Sequence, residues 1–393
     1  MGKKIKAVLA MLLLCLSLGA QEMANIGKTI NVVSPEVNGT TVTFRLEAPD
    51  ARSVQVNGTM NKEYTIVNQY GGEARACKPV DMVKNKDGVW EYTCYCSPNF
   101  YNYVFIVDGI SMCDPANPYR QRDGYDWLSA FIVDGPYSAN YREANQRGNL
   151  HEVWYDSPSL NMNRRMIVYT PYGYDENPDK RYPVLYLMHG GMRDEDQWAD
   201  LGLVRQILDN RIEKGEAEPM IVVMPNHRMD FQAAEHIEVP GYRFKRINGL
   251  RFARGDFSLS MKEDIIPYID SHYRTIPDKA HRAVGGFSMG SITSTSCFLA
   301  LPDMIGSLFV VPGASQDRAA AQWENIKKQG YNLIYVATGE DDTGYRGCVA
   351  MHNLLDKLGM WHVFSVTPGG HAWYNCRHHL NAVVPMLFKD INE

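Results

Sequence analysis

Hydrophobic and polar positions along this chain follow two different rhythms. Between residues 28 and 134 they alternate. Val42, Phe44 and Leu46 in "TVTFRLEAP" occupy every second position, as do Trp90, Tyr92, Cys94 and Cys96 in "GVWEYTCYC" and Tyr101, Tyr103, Phe105 and Val107 in "YNYVFIVDG". Period two places one face of a strand in a core and the other in water, which predicts antiparallel strands. Asn38-Gly39, Asn57-Gly58, Asp87-Gly88 and Asp108-Gly109 punctuate these runs, and such pairs tolerate positive φ and predict tight hairpins. Short strands at this spacing predict a β-sandwich over 28–134. The polar segment 135–150, "GPYSANYREANQRGNL", reads as a linker.

From His151 to the end the apolar positions come in unbroken runs: "VLYLM" (184–188), "MIVVMP" (220–225), "RAVGGF" (282–287), "SLFVV" (307–311), "LIYVATG" (333–339) and "HVFSV" (362–366). Such runs fit strands covered on both faces of a mainly parallel sheet. Helical patterns such as "LSMKEDIIPYIDSHY" (259–273) lie between them, so residues 151–393 read as an α/β domain.

A length of 393 residues agrees with two domains. A net charge of −5 argues against a nucleic-acid partner, because phosphate binding needs a basic face. The N-terminus, "MGKKIKAVLAMLLLCLSLGAQE", has a basic start, a short apolar run and small residues before Gln21, the pattern of a secretory signal peptide over residues 1–20. The run is too short to span a bilayer. Leu14 before Cys15 speaks against a lipid anchor, so a secreted or periplasmic location is expected. Seven cysteines follow the signal, leaving at least one thiol outside any intrachain pairing. None stands at zinc spacing; the donors of "CRHH" (376–379) read as a surface helix end, and neither metal nor cofactor is expected.

The chemistry centres on "AVGGFSMGS". Ser288 stands between a predicted strand and a predicted helix, with Gly286 and Gly290 on either side, the context of a G-x-S-x-G nucleophile elbow. A serine hydroxyl needs a base, and the base an orienting acid. On this architecture both come later in the chain. Glu340, Asp341 and Asp342 follow the strand 333–339, and His371 sits in "TPGGHAW" after the strand 362–366. Both places lie where the C-terminal edge of a parallel sheet puts active sites. "LYLMHGGMRDEDQW" ends another strand in His-Gly-Gly; Gly191 is the candidate for one oxyanion-hole N–H and Met289 for the other, while His189 reads as a turn residue.

With these residues placed, the C-terminal part resembles the esterase D-like serine hydrolases, most closely carbohydrate esterase family 1, the feruloyl and acetylxylan esterases. "YPVLYLMHGG", "DEDQW", "IVVMPN", "MKEDIIPYIDSHY", "RAVGGFSMGS", "VATGEDD" and "GGHAW" carry the likeness. It implies an α/β-hydrolase fold and a triad of Ser288, His371 and Asp342, three residues after Gly339, with Asp341 as the alternative acid. Residues 28–134 resemble an early-set sandwich like carbohydrate-binding module family 48, through "VTFRLEAPDARSVQVNG", "GVWEYT", "YNYVFIVDG" and "DPANP". That likeness implies glycan binding, although Trp90 and Tyr92 read as core. Trp198, Tyr242, Phe244 and Trp373 are the aromatic candidates for substrate contact. Tyr242 and Phe244 belong to a long insertion after "MPN", a length often found in lids. The expected activity is removal of acyl groups from xylan, feruloyl ahead of acetyl. A siderophore trilactone esterase, an acyltransferase and a non-catalytic glycan-binding protein are the alternatives.

Overall fold

The alternating segments pair as antiparallel strands in two facing sheets. A computed structural model of the chain describes residues 30–67, 73–124, 126–191, 193–234, 237, 254–313 and 320–389. The signal segment 1–20 and the proposed substrate contacts Tyr242 and Phe244 lie outside the described residues. One sheet runs in the order Glu36–Asn38, Thr41–Glu47, Val89–Tyr95, Val83–Lys84. The other runs Arg120–Asp123, Asp126–Val133, Asn99–Val107, Val54–Gly58, Val80–Asp81. Between them Val42, Phe44, Leu46 and Trp90 meet Val56, Tyr103, Phe105 and Phe131, so the alternation in sequence is the inner face of a sandwich. Gly39, Gly88 and Gly109 have positive φ at their turns. Asn57-Gly58 makes no hairpin. It continues a strand paired with Tyr103 and Val104, and a Cβ on Gly58 would stand 2.6 Å from the Asn102 carbonyl oxygen. Close approach, not turning, requires glycine there.

The second half is one eight-stranded sheet. Its strands are β1 (Asn149–Ser157), β2 (Met162–Thr170), β3 (Val184–Met188), β4 (Ile221–Pro225), β5 (Arg282–Phe287), β6 (Ser307–Val311), β7 (Leu333–Gly339) and β8 (Val363–Thr367). The order is β1-β2-β4-β3-β5-β6-β7-β8, antiparallel at β1-β2 and β2-β4 and parallel from there on. Helices α1 (Met289–Ala300), α2 (Tyr345–Lys357) and α3 (Trp373–Val383) follow β5, β7 and β8. Val184, Tyr186 and Val284 pack on one face of the sheet and Leu185, Leu187 and Ala283 on the other. That double burial is why these strands read as unbroken apolar runs.

Segment 135–150 is more than a tether. Tyr141 is buried in the core beneath the sheet, and the Gly148 N–H donates to Asp209 at 2.9 Å. A hairpin of the sandwich is likewise locked onto the second half. The Arg122 guanidinium, 3% exposed, forks onto the Asp194 carboxylate and reaches Asp196 at 3.0 Å. In return Arg377 of α3 donates to Phe100 O at 3.1 Å. Cys376, Arg377 and His379 are therefore inside the protein, correcting the expectation of a surface helix end. Among the described residues all seven cysteines are free thiols, and no helix is long and apolar enough to cross a membrane.

Candidate active site

Ser288 ends β5 and caps α1 with φ 56° and ψ −117°. This is a strained position for a residue with a side chain, and structures keep such strain mostly at functional sites. The glycines permit it. A Cβ on Gly286 would lie 2.4 Å from the Gly290 carbonyl carbon, and one on Gly290 would lie 2.3 Å from Met188 O and 2.4 Å from His189 O. The Ser288 N–H is held by Val311 O at 3.1 Å, so β6 fixes the elbow from the side.

His371 is carried by the loop between β8 and α3. Gly369 lies in the left-handed region, φ 98°, and the next N–H, of Gly370, donates to the Tyr374 hydroxyl at 2.8 Å. Asn375 Nδ2 donates to Gly370 O at 2.8 Å. The first turn of α3 thus clasps the loop that presents the imidazole. His371 Nδ1 lies 2.9 and 3.1 Å from the two oxygens of Asp342, whose side chain is fully buried. Asp342 also accepts the Gly344 N–H at 2.6 Å. Of the two acids weighed from sequence, Asp342 is the one that meets His371. The neighbouring Asp341 is tied in through its backbone, its N–H donating to Gly369 O at 3.0 Å. The imidazole rests on the Phe287 ring, with centroids 4.6 Å apart.

Ser288, Met289, Gly190, Gly191, His371, Ala372 and Trp373 line one cleft of 580 Å³, with Phe287, Gln197, Arg193 and Asp123 completing its wall. That size suits a small organic group. The Gly190 N–H is already engaged by Gln197 Oε1 at 2.8 Å, while Gly191 and Met289 line the cleft together with Ser288. Met289 is the first residue of α1, where N–H groups lack partners within the helix. A Cβ on Gly191 would lie 2.6 Å from Met289 Sδ, so the Met289 side chain packs directly against this glycine.

The remaining sequence candidates divide. Trp373 lines the cleft. Trp198 does not. It is fully buried, donates Nε1–H to Met188 O at 2.8 Å, and meets Trp373 edge-on with centroids 5.1 Å apart, so it supports the floor rather than contacting a ligand. His189 is the turn residue expected. Its Nδ1–H donates to Gly190 O at 2.7 Å, its Nε2 accepts the His227 N–H at 3.2 Å, and burial pushes its pKa down to about 3.

Sequence reading missed the shell beneath the Gly-Gly loop. His227, fully enclosed and likewise held neutral by burial, donates Nε2–H to His189 O at 2.8 Å and lies 3.2 Å from Thr293 Oγ1 of α1. Glu195 lies 2.8 Å from Arg165 Nη1 and accepts from Asn226 Nδ2 at 3.0 Å and the Ala234 N–H at 2.9 Å. Burial, reinforced by Asp196 and Asp194, pushes its pKa up to about 7. The acid run "DEDQW" was the available signal, but its partners lie about thirty and seventy residues away. Asp123 was missed for the same reason. It comes from the sandwich, bonds Arg193 Nε at 2.5 Å, and stands in the cleft wall.

An elbow serine and a carboxylate-bound histidine lining one cleft, on this strand order, place the molecule in the α/β-hydrolase class. The family model Esterase matches residues 157–385, and the chain belongs to that family. It is 31% identical over 357 residues to an endo-1,4-beta-xylanase/feruloyl esterase of Xylanibacter ruminicola, which covers 88% of this chain. The chain spans 44% of that relative's length, less than half. Among solved structures, a serine-to-alanine mutant of the feruloyl esterase module of Clostridium thermocellum, complexed with sinapinate, superposes with TM-score 0.53 at 23% identity, over 70% of this chain and 97% of that one. Enterochelin esterase of Shigella flexneri gives TM-score 0.62 at 17% identity, over 92% of this chain and 97% of its own. These two share the fold.

Proposed function

We propose that this chain is a secreted serine esterase that removes feruloyl groups from plant xylan. The observation that carries the reading is that Ser288, Gly191, Met289 and the Asp342-bound His371 line one cleft with an aromatic wall of Phe287 and Trp373. Similarity to the xylanase/feruloyl esterase supports the choice of substrate. In this reading residues 1–20 direct export, 28–134 form a glycan-binding sandwich, 135–150 connect, and 151–393 carry the esterase.

The steps follow from the geometry. Asp342 accepts the Nδ1–H of His371, which leaves Nε2 free to take the Ser288 proton. Ser288 Oγ attacks the ester carbonyl carbon. The developing oxyanion meets the N–H groups of Gly191 and Met289, a pair of donors whose individual loss typically costs about 2.7–4 kcal/mol of transition-state stabilisation. His371 returns its proton to the departing sugar oxygen. Water, deprotonated by His371 in turn, clears the feruloyl-enzyme and frees Ser288. No step calls on a cofactor. The phenyl ring of the acyl group packs against Trp373 and Phe287.

Incubation with an arabinoxylan bearing both ferulate and acetate, followed by chromatography of the released acids, tests this. Ferulate as the main product is expected, and Ser288→Ala abolishes it without unfolding the protein. Mostly acetate moves the assignment to an acetylxylan esterase. Neither acid from folded protein refutes action on xylan, and cleavage of a catecholate trilactone would then identify a siderophore esterase. Substantial activity in Ser288→Ala refutes the mechanism.

A further inference from the structure

A second constellation of donor atoms lies at the opposite edge of the sheet. His352 and Asp356 are one turn apart on α2, and His362 immediately precedes β8. His352 Nδ1 is 2.7 Å from His362 Nε2. His352 Nε2 is 3.5 Å from Asp356 Oδ2, and His362 Nε2 is 3.9 Å from Asp356 Oδ1. One donor atom from each of the three residues falls within 4.8 Å of the other two.

Hydrogen-bond accounting shows which lone pairs face the cluster. His362 Nδ1 donates to Met360 O at 2.9 Å, so its Nε2 presents a lone pair. The Asp356 carboxylate only accepts. His352 stands between them with one nitrogen towards each, yet a neutral imidazole has a single N–H. The contact with His362 is a hydrogen bond, whereas the exposed Asp356 carboxylate at 3.5 Å is too far for one, so His352 can satisfy His362 and still turn a lone pair towards the carboxylate. A metal ion entering there would meet that lone pair and the carboxylate together.

The surroundings favour the metal. A histidine ligand characteristically donates its other N–H to a carbonyl, which fixes tautomer and ring orientation, and His362 does so. The His352 ring is fixed as well, stacked on Phe364 at 4.3 Å with planes 6° apart. Tetrahedral ligands at about 2.1 Å from one ion stand about 3.4 Å apart, and the separations of 2.7 and 3.9 Å lie on either side of that value, within reach of small side-chain shifts. His362 is 3% exposed while Asp356 is 60% exposed, so one side of the cluster is anchored and the other is open to an arriving ion. We propose that His352, Asp356 and His362 bind a divalent transition-metal ion of the zinc class, for which two imidazoles and a carboxylate are suitable ligands. The site is structural. It pins the foot of the crossover from β7 through α2 to β8, whose two upper ends carry Asp342 and His371.

Isothermal titration of zinc chloride into the chelator-stripped, untagged mature protein tests the site, alongside His352→Gln and Asp356→Asn, both at exposed enough positions to leave the fold intact. One zinc per wild-type chain is expected. Its affinity falls about tenfold or more in each variant, and zinc raises Tm in a concentration-dependent way only in the wild type. Absence of saturable binding overturns the proposal. Equal zinc affinity in all three proteins also overturns it, since the ion then sits elsewhere. Neither readout depends on esterase activity.

Discussion

Replacing Arg122 by methionine should damage this protein far more than removing any surface arginine. The Arg122 guanidinium donates to both oxygens of Asp194, to Asp196 at 3.0 Å and to Gly124 O at 2.8 Å. The Arg122 and Asp194 side chains are only 3% and 8% exposed. Asp196 keeps a second cation, Arg165, at 3.0 Å; Asp194 has Arg122 as its ion-pair partner. The substitution thus strands one buried carboxylate. Breaking a buried pair from one side typically costs about 3–5 kcal/mol, a factor of roughly 10² to 10³·⁵ in the folding equilibrium at 1.4 kcal/mol per tenfold. Arg142 provides the control. It pairs with Asp134, but both side chains are more than half exposed, and such pairs contribute about 0–1 kcal/mol. Chemical denaturation of wild type, Arg122→Met and Arg142→Met measures the difference. Arg122 is also sequence neighbour to Asp123, which holds Arg193 in the cleft wall. Arg122→Met should therefore raise KM for a feruloylated oligosaccharide more than for methyl ferulate. Equal stability losses in the two arginine variants would refute the claim that the sandwich is clamped by buried charge.

Two further outcomes follow from the site and its shell. Asp342→Asn should lower kcat for methyl ferulate by about 10⁴ with KM little changed, because an amide at 2.9 Å from Nδ1 favours the wrong imidazole tautomer; Asp341→Asn should stay within tenfold of wild type, and the reverse ranking in steady-state kinetics would reassign the acid. His379 is buried in α3, and burial with the neighbouring His378 pushes its pKa down to about 3. A depressed folded pKa means that its stabilising contribution is present above the unfolded value near 6.5 and is lost as pH falls from there towards 3. Unfolding free energy measured between pH 6.5 and 5 should decline less steeply in His379→Gln than in wild type, and identical slopes would exclude His379 as a source of acid sensitivity.

Where burial alone sets the pattern, the sequence was readable to the residue. The runs at 184–188, 282–287, 307–311 and 333–339 are strands with those bounds, because a strand covered on both faces has no polar position to blur its ends. Strands β1 and β2 were not singled out. β1 lies at the sheet edge and its open positions mix Leu150 and Trp154 with Glu152 and Asp156, so no clean alternation marks it, and β2 buries Arg164 and Arg165, which read as solvent-facing until their partners are known. Ser288, His371 and the Gly-Gly loop were legible because strand ends dictate where they stand. Trp198 was misplaced for the opposite reason: a tryptophan near a motif gives no sign of whether its indole points into the cleft or under it. Tyr141, Arg122 and Asp123 owe their roles to neighbours more than sixty residues away, a separation that periodicity does not register.

The clamp around Arg122 has an evolutionary consequence. Modules joined by a loose tether can be shuffled between enzymes as independent cassettes. Here a chimera that kept residues 151–393 and borrowed another sandwich would inherit Asp194 without the guanidinium that neutralises it, and a cleft wall without Asp123. The seam should therefore tolerate substitutions in matched pairs, and directed evolution of the cleft should include the sandwich hairpin in its library.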